Sequence, residues 1–210
     1  MRERIRLAGG DAGAITIVAV TKGRPVEDCR AAVAAGLGVL GENRVQEALP
    51  KIDAVEGAEW HLIGHLQTNK ARHAARFALV QSVDSVRLAE ALAARASRPG
   101  PAVLLEVNVA REPRKHGVDP AEAVAVGARV AGLLDLRGLM AMGPAAGDPR
   151  PAFAELRRLR DEAEQRLGRR LPVLSMGMSA DLEAAVAEGT TMVRVGGALF
   201  RTPPDEVGSP

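Results

Sequence analysis

Lys22 closes a stretch of chain that otherwise buries itself: it follows the run Ile15-Thr16-Ile17-Val18-Ala19-Val20 and precedes Gly23-Arg24-Pro25. A primary amine at the end of a buried strand is partly desolvated. With arginines beside it, the free nucleophilic amine is favoured, and such an amine can form a Schiff base with a carbonyl. An ordinary strand-end lysine is the alternative. Of 28 Lys and Arg residues only four are lysine, and the other three, Lys51, Lys70 and Lys115, sit in polar helix or loop contexts. Solvated charges are expected there. A second group of residues lies near the far end of the chain: Ser175-Met176-Gly177-Met178-Ser179, Arg194 and Gly196-Gly197. Glycines let backbone N–H groups approach a phosphate closely, and Ser179 adds a hydroxyl. Ser179 also reads as the N-cap of a following helix, whose first N–H groups suit an anion.

Three other spacings carry less. Gly36-Leu37-Gly38-Val39-Leu40-Gly41 matches GxGxxG, but a dinucleotide fingerprint follows a strand and opens a helix. Here the order is reversed, and Gly36 reads as a helix end. Gly177-Met178-Ser179 lacks the second glycine of a nucleophile elbow, because Asp181 stands there. His61 and His65 are four apart, yet Leu62 occupies the glutamate position of HExxH and no Asp or Cys close in sequence completes a metal site.

The elements that position these residues alternate regularly. Strands are expected at Ile15–Val20, Val39–Gly41, Trp60–Gly64, Leu79–Val83, Ala102–Val109, Leu136–Met142, Pro172–Ser175 and Met192–Val195. The intervening helices are expected at about Pro25–Ala35, Asn43–Ile52, Thr68–Ala75, Ser85–Ala96, from Pro120, Pro151–Leu167 and Ser179–Glu188. Alternation of this kind implies parallel strands with helical crossovers. Eight units in sequence predict a single α/β domain, a (β/α)8 TIM-type barrel spanning residues 1–210, with an open doubly wound sheet as the alternative. In a barrel, strand-end residues gather at one mouth, and strand eight closes on strand one. Lys22, the two glycine-rich loops and Arg194 then surround one opening. An amine, a phosphate cradle and an arginine able to face a pyridine nitrogen suggest a pyridoxal 5′-phosphate (PLP) site. A salt-bridged residue of the barrel interior is the alternative for Arg194.

Composition narrows the class of function. The 210 residues are 47% hydrophobic and 26% charged, with a net charge of +2, 2% aromatics and no tyrosine. Without a dense basic run or stacking aromatics, nucleic acid is not an expected partner. The single cysteine, Cys29, excludes an internal disulfide and reads as a small buried residue. Neither a signal peptide nor a membrane span is visible, so a cytoplasmic protein is expected.

Several motifs together resemble the pyridoxal phosphate homeostasis protein family. They are Ala19-Val20-Thr21-Lys22, the segment Gly41 to Glu47 (GENRVQE), and the segment His61 to Lys70 (HLIGHLQTNK). Met176 to Ala185 (MGMSADLEAA) and Val193-Arg194-Val195-Gly196 complete the set. They run in the family's order from about Ile17 to Phe200. The resemblance implies a barrel like the N-terminal domain of alanine racemase, with PLP held as an aldimine on Lys22. It places Ser179, Gly196 and Gly197 at the phosphate, Arg194 at the ring nitrogen and Asn43 near the cofactor. It implies a role in vitamin B6 homeostasis, with PLP-dependent apoenzymes as possible recipients and a monomer or homodimer as the assembly. No catalysis is established for the family. The family often has Thr where Gly197 stands, and its usual Phe-Gly is Phe200-Arg201 here.

The residues also bear on turnover. Two-base racemisation needs an acid–base group facing the lysine, which alanine racemases supply from a tyrosine and a second domain. This chain has no tyrosine, and an arginine at the ring nitrogen weakens PLP as an electron sink. A PLP-binding carrier is therefore expected. A weak racemase, or a phosphate-ligand barrel with no Schiff base, is the alternative.

Overall fold

The computed structural model describes residues 1–95 and 101–200. Its eight strands are β1 (Thr16–Val20), β2 (Val39–Glu42), β3 (Glu59–Leu62), β4 (Leu79–Val83), β5 (Ala102–Glu106), β6 (Asp135–Met140), β7 (Val173–Ser175) and β8 (Met192–Val195). They form a closed parallel barrel in sequence order, and β1 pairs with β8 so that Val18 stands opposite Arg194. Closure excludes the open sheet. Helices α1 (Arg2–Leu7), α2 (Val26–Ala34), α3 (Val45–Ala54), α4 (Val86–Ala93), α5 (Ala123–Leu133), α6 (Arg150–Leu167) and α7 (Leu182–Ala187) surround it. No helix among the described residues is long and apolar enough to cross a membrane.

Strands buried on both faces must be apolar nearly throughout, and these are. Val18, Leu79, Leu104, Met140 and Met192 fill the barrel interior. Outward-facing Ala19, Leu40, Leu62, Val80, Val103 and Leu105 join the helices in the main core. Ile17, Val193 and Val195 pack with Ile5 of α1 and Leu182 of α7. Cys29 is buried in α2, as expected.

Local chemistry sets the helix ends. Ser85 caps α4 by accepting from the Leu88 N–H. Gly36, at φ +79°, ends α2: its N–H reaches Val33 O, and the Leu37 N–H reaches Ala32 O. That pair of bonds is a Schellman motif, which accounts for the GxGxxG spacing without a nucleotide.

Four expectations need correction. The segment Thr68–Arg76 is a 3₁₀ helix. The fifth strand stops at Glu106, because the loop beyond it folds back through a Val107–Val118 bridge. Helix α7 begins at Leu182 with Asp181 before it, so Ser179 is not an N-cap; the Asp181 carboxylate instead accepts from the Met178 N–H at 2.6 Å. Arg4 ties α1 to α7 through Glu183 and to the turn before it through Ser179 O. Helix α4 ends at Ala93, with Ala94 as its C-cap, short of the expected Ala96, which lies outside the described residues, as does Arg201.

Candidate functional site

Lys22 lies just beyond β1, in a turn closed by the Arg24 N–H on Thr21 O at 3.0 Å. Gly23 takes φ +68° there, which suits glycine. The Lys22 side chain is exposed, so the expected desolvation by the protein alone is absent. Its backbone is nevertheless anchored from behind. Thr21 Oγ1 donates to Glu42 Oε1 at 2.7 Å, and Lys51 Nζ donates both to that oxygen at 2.6 Å and to Thr21 O at 2.8 Å. Thr21, Glu42 and Lys51 are all buried. Lys51 is therefore no solvated charge but half of an ion pair between α3 and β2. Lys115 is also held, by Glu112 at 2.9 Å and by Gly143 O at 2.6 Å.

Arg194 occupies the barrel interior. Register places it beside Val18, four residues before Lys22, and its side chain leans toward β6 and β7. Nη1 donates to Ser175 Oγ at 2.6 Å and to Ser175 O at 3.0 Å, while Nη2 donates to Ala141 O at 2.8 Å. Its Nε–H has no acceptor among the described residues. The Ser175 hydroxyl donates onward to Gln81 Oε1 at 2.7 Å, and Gln81 Nε2 meets His61 Nδ1 at 2.9 Å. His61 Nε2 meets Glu59 Oε1 at 2.8 Å. An amide N–H on Nδ1 requires the Nε2–H tautomer, so the chain is consistent in its donors throughout. His61 is thus an interior hydrogen-bonding residue, not a metal ligand.

Burial sets the charge states here. It pushes the Arg194 guanidinium down to about 10, against the pull of Glu106 and Asp181. It raises the Glu106 carboxyl to about 7, helped by Asp84 and opposed by Arg194. It lowers the His61 imidazole, against its hydrogen bond to Glu59. Arg194 keeps its charge at neutral pH.

Asn43 follows β2 and is half-buried. Its backbone is fixed by close approach: a Cβ on Gly64 would stand 2.3 Å from Asn43 O. Ser179 is half-buried in the turn between β7 and α7. Gly177 takes φ +95° and packs so closely that a Cβ would lie 2.5 Å from Ala185 Cβ. Gly196 abuts Val20, where a Cβ would lie 3.5 Å from Val20 Cβ, and Gly197 faces open space. Leu199 N–H bonds back to Gly196 O at 2.8 Å, forming one helical turn. Among the described residues no acceptor takes the amide N–H groups of Gly197 and Ala198.

The barrel therefore carries Lys22, Asn43, Ser179, Gly196 and Gly197 on loops beyond its C-terminal strand ends, with Arg194 beneath them. Sequence reasoning missed Gln81 and Glu106, which surround or face Arg194, and set Ser175 in the phosphate loop, where the structure bonds it to Arg194 instead. Their signal was present as polar residues at inward positions of otherwise apolar strands.

The chain matches the family model "Alanine racemase, N-terminal domain" over residues 1–204. It is 44% identical to the pyridoxal phosphate homeostasis protein of Deinococcus radiodurans, over 95% of each chain. Its fold superposes with a TM-score of 0.82 on PipY of Synechococcus elongatus solved with PLP bound, at 38% identity, covering 95% of this chain and 99% of that one. Alanine racemase from Corynebacterium glutamicum shares the fold at 18% identity, with a TM-score of 0.77, covering 99% of this chain and 62% of that one. Matched along nearly its whole length in both sequence and fold, the chain belongs to the pyridoxal phosphate homeostasis proteins, within the alanine racemase N-terminal domain family.

Proposed function

We propose that this protein binds PLP on Lys22 and acts as a carrier in PLP homeostasis. The single observation that carries this reading is the unspent donor set around one barrel mouth. An exposed amine at Lys22, and the amides of Gly197 and Ala198 and the Arg194 Nε–H, which meet no acceptor among the described residues, match an aldehyde, a phosphate and a ring nitrogen. When bound, PLP supplies an aldehyde carbon that condenses with the Lys22 amine, releasing one water. Ser179, Gly196 and Gly197 hold the phosphate, and Asn43 lines the neighbouring wall. A positive Arg194 facing the pyridine nitrogen keeps that nitrogen unprotonated, which disfavours build-up of negative charge in the ring.

That electrostatic choice, together with a chain that has no tyrosine, favours holding over turnover. The recipients would be PLP-dependent apoenzymes. The identity of the relatives and the PLP in PipY support binding.

The test is borohydride reduction of protein incubated with PLP, followed by peptide mapping. The expected result is a reduced adduct on Lys22 and loss of the aldimine absorbance band in Lys22→Ala. Adducts confined to Lys51, Lys70 or Lys115, or none, would overturn the reading. Release of α-deuterium from labelled L-alanine at an enzymatic rate would replace the carrier with a racemase.

A further inference from the structure

Three loops at the C-terminal end of the barrel bring together two histidines and an aspartate that are far apart in sequence. His65 follows β3, Asp84 follows β4 and His116 lies in the loop after β5. The candidate ligand atoms of the three all fall within 4.8 Å of one another. His65 Nδ1 lies 3.1 Å from Asp84 Oδ2, and His116 Nδ1 lies 3.9 Å from the same oxygen. The two imidazoles stack nearly parallel, with centroids 4.1 Å apart and planes 13° from each other.

We propose that His65, Asp84 and His116 form a binding site for a divalent transition metal of the zinc class, separate from Lys22. Two imidazole nitrogens and one carboxylate oxygen are a common ligand set for such ions, with a fourth position left to water. Metal–ligand bonds of about 2.0–2.1 Å at tetrahedral angles put ligand atoms roughly 3.3 Å apart. The two His–Asp84 separations, 3.1 and 3.9 Å, lie near that spacing, and the stacked rings must turn about χ2 for both imidazole lone pairs to point at one ion.

The backbone of each ligand is already fixed. Gly64, which precedes His65, has no room for a side chain against Asn43, and Leu66 after it is buried. Asp84 Oδ1 accepts from Ser85 Oγ at 3.2 Å, which leaves Oδ2 for the histidines and supplies the outer contact that orients a metal ligand. His116 stands between two clamped residues. Lys115 O accepts from Asn108 Nδ2 at 3.3 Å, and a Cβ on Gly117 would lie 2.7 Å from Asn108 N. His65 and His116 are partly exposed, with side-chain accessibilities of 38% and 56%, and an open cleft of about 310 Å³ borders His65 and Asp84. An ion has a path in. Once bound, it would tie together three loops of the barrel mouth.

The experiment is titration of untagged, metal-stripped full-length protein with Zn²⁺, and with Co²⁺ for its visible absorption. We expect one equivalent bound, a tetrahedral or five-coordinate Co²⁺ spectrum, and a rise in melting temperature. His65→Ala and His116→Ala should each weaken binding at least tenfold, as the loss of one of three ligands requires, while His73→Ala leaves it unchanged. Both ligand variants remove partly exposed side chains, and circular dichroism checks their fold. No stoichiometric binding, or equal affinity in wild type, His65→Ala and His116→Ala, overturns the site. A Co²⁺ spectrum of the hexa-aquo type would overturn it too.

Discussion

The Ser175 hydroxyl accepts from Arg194 Nη1 at 2.6 Å and donates to Gln81 Oε1 at 2.7 Å, so a neutral hydrogen-bond relay, not a carboxylate, holds the buried guanidinium. No ion pair within 4 Å joins Arg194 to an acid among the described residues. Its charge stays available to whatever enters the barrel mouth, while Gln81, His61 and the Ala141 carbonyl fix its direction.

Ser175→Ala should test that relay. It removes one acceptor of Nη1 and leaves Gln81 Oε1 without its donor, at a cost of about 1–2 kcal/mol in urea unfolding. PLP affinity should fall severalfold, while borohydride still labels Lys22. Unchanged stability and unchanged affinity together would show that Arg194 is held by the backbone carbonyls alone.

The Lys51–Glu42 pair predicts a larger effect. Lys51→Met leaves a carboxylate buried with only Thr21 Oγ1 as partner, and Glu42 Oε2 already lacks one. Removing one member of a buried pair costs about 3–5 kcal/mol, so the midpoint of denaturation should drop sharply. Adding Glu42→Gln in the same chain should recover part of the loss. A cost below about 1 kcal/mol would mean that the pair does not anchor the strand ends.

Glu106 predicts a dependence on pH. Its folded-state value of about 7, against an ordinary 4.5, means that the native state keeps a proton the unfolded chain has released. Stability contributed by that proton is full below about 4.5 and is lost as pH rises toward 7, up to roughly 3 kcal/mol. Glu106→Gln should therefore gain on wild type between these pH values and run parallel to it above. His61 acts oppositely, because its lowered value costs stability as pH falls below 6.5, but it is common to both proteins and cancels in the difference. Chelator in the buffer keeps metal away from Asp84 during the comparison. A constant difference across the range would contradict a raised Glu106.

Gly197→Thr addresses the phosphate. A side chain there meets nothing within 4 Å, so a threonine fits. If Gly197 lies at the phosphate, the added hydroxyl should tighten PLP binding about fivefold, close to the ~1 kcal/mol of one net hydrogen bond. An unchanged dissociation constant would place the phosphate elsewhere.

Periodicity and strand-end residue types determined the barrel, because parallel strands buried on both faces leave an unmistakable alternation of apolar runs and amphipathic helices. Met192–Val195 and Leu79–Val83 are strands over the residues expected, and Lys22 falls at a strand end as read. Motifs along the chain were enough to name the family. What remained hidden depends on contacts between segments distant in sequence. Lys51 looked like a solvated helix lysine until α3 laid it on Glu42. His61 and His65 looked like one spacing, but strand geometry turns the first inward to Gln81 and leaves the second in a loop. Asp84 and His116, 19 and 51 residues further on, reach His65 only because consecutive strands of a closed barrel deliver their loops to the same rim. Sequence spacing records neighbours along one strand or helix; only barrel closure decides which loops meet.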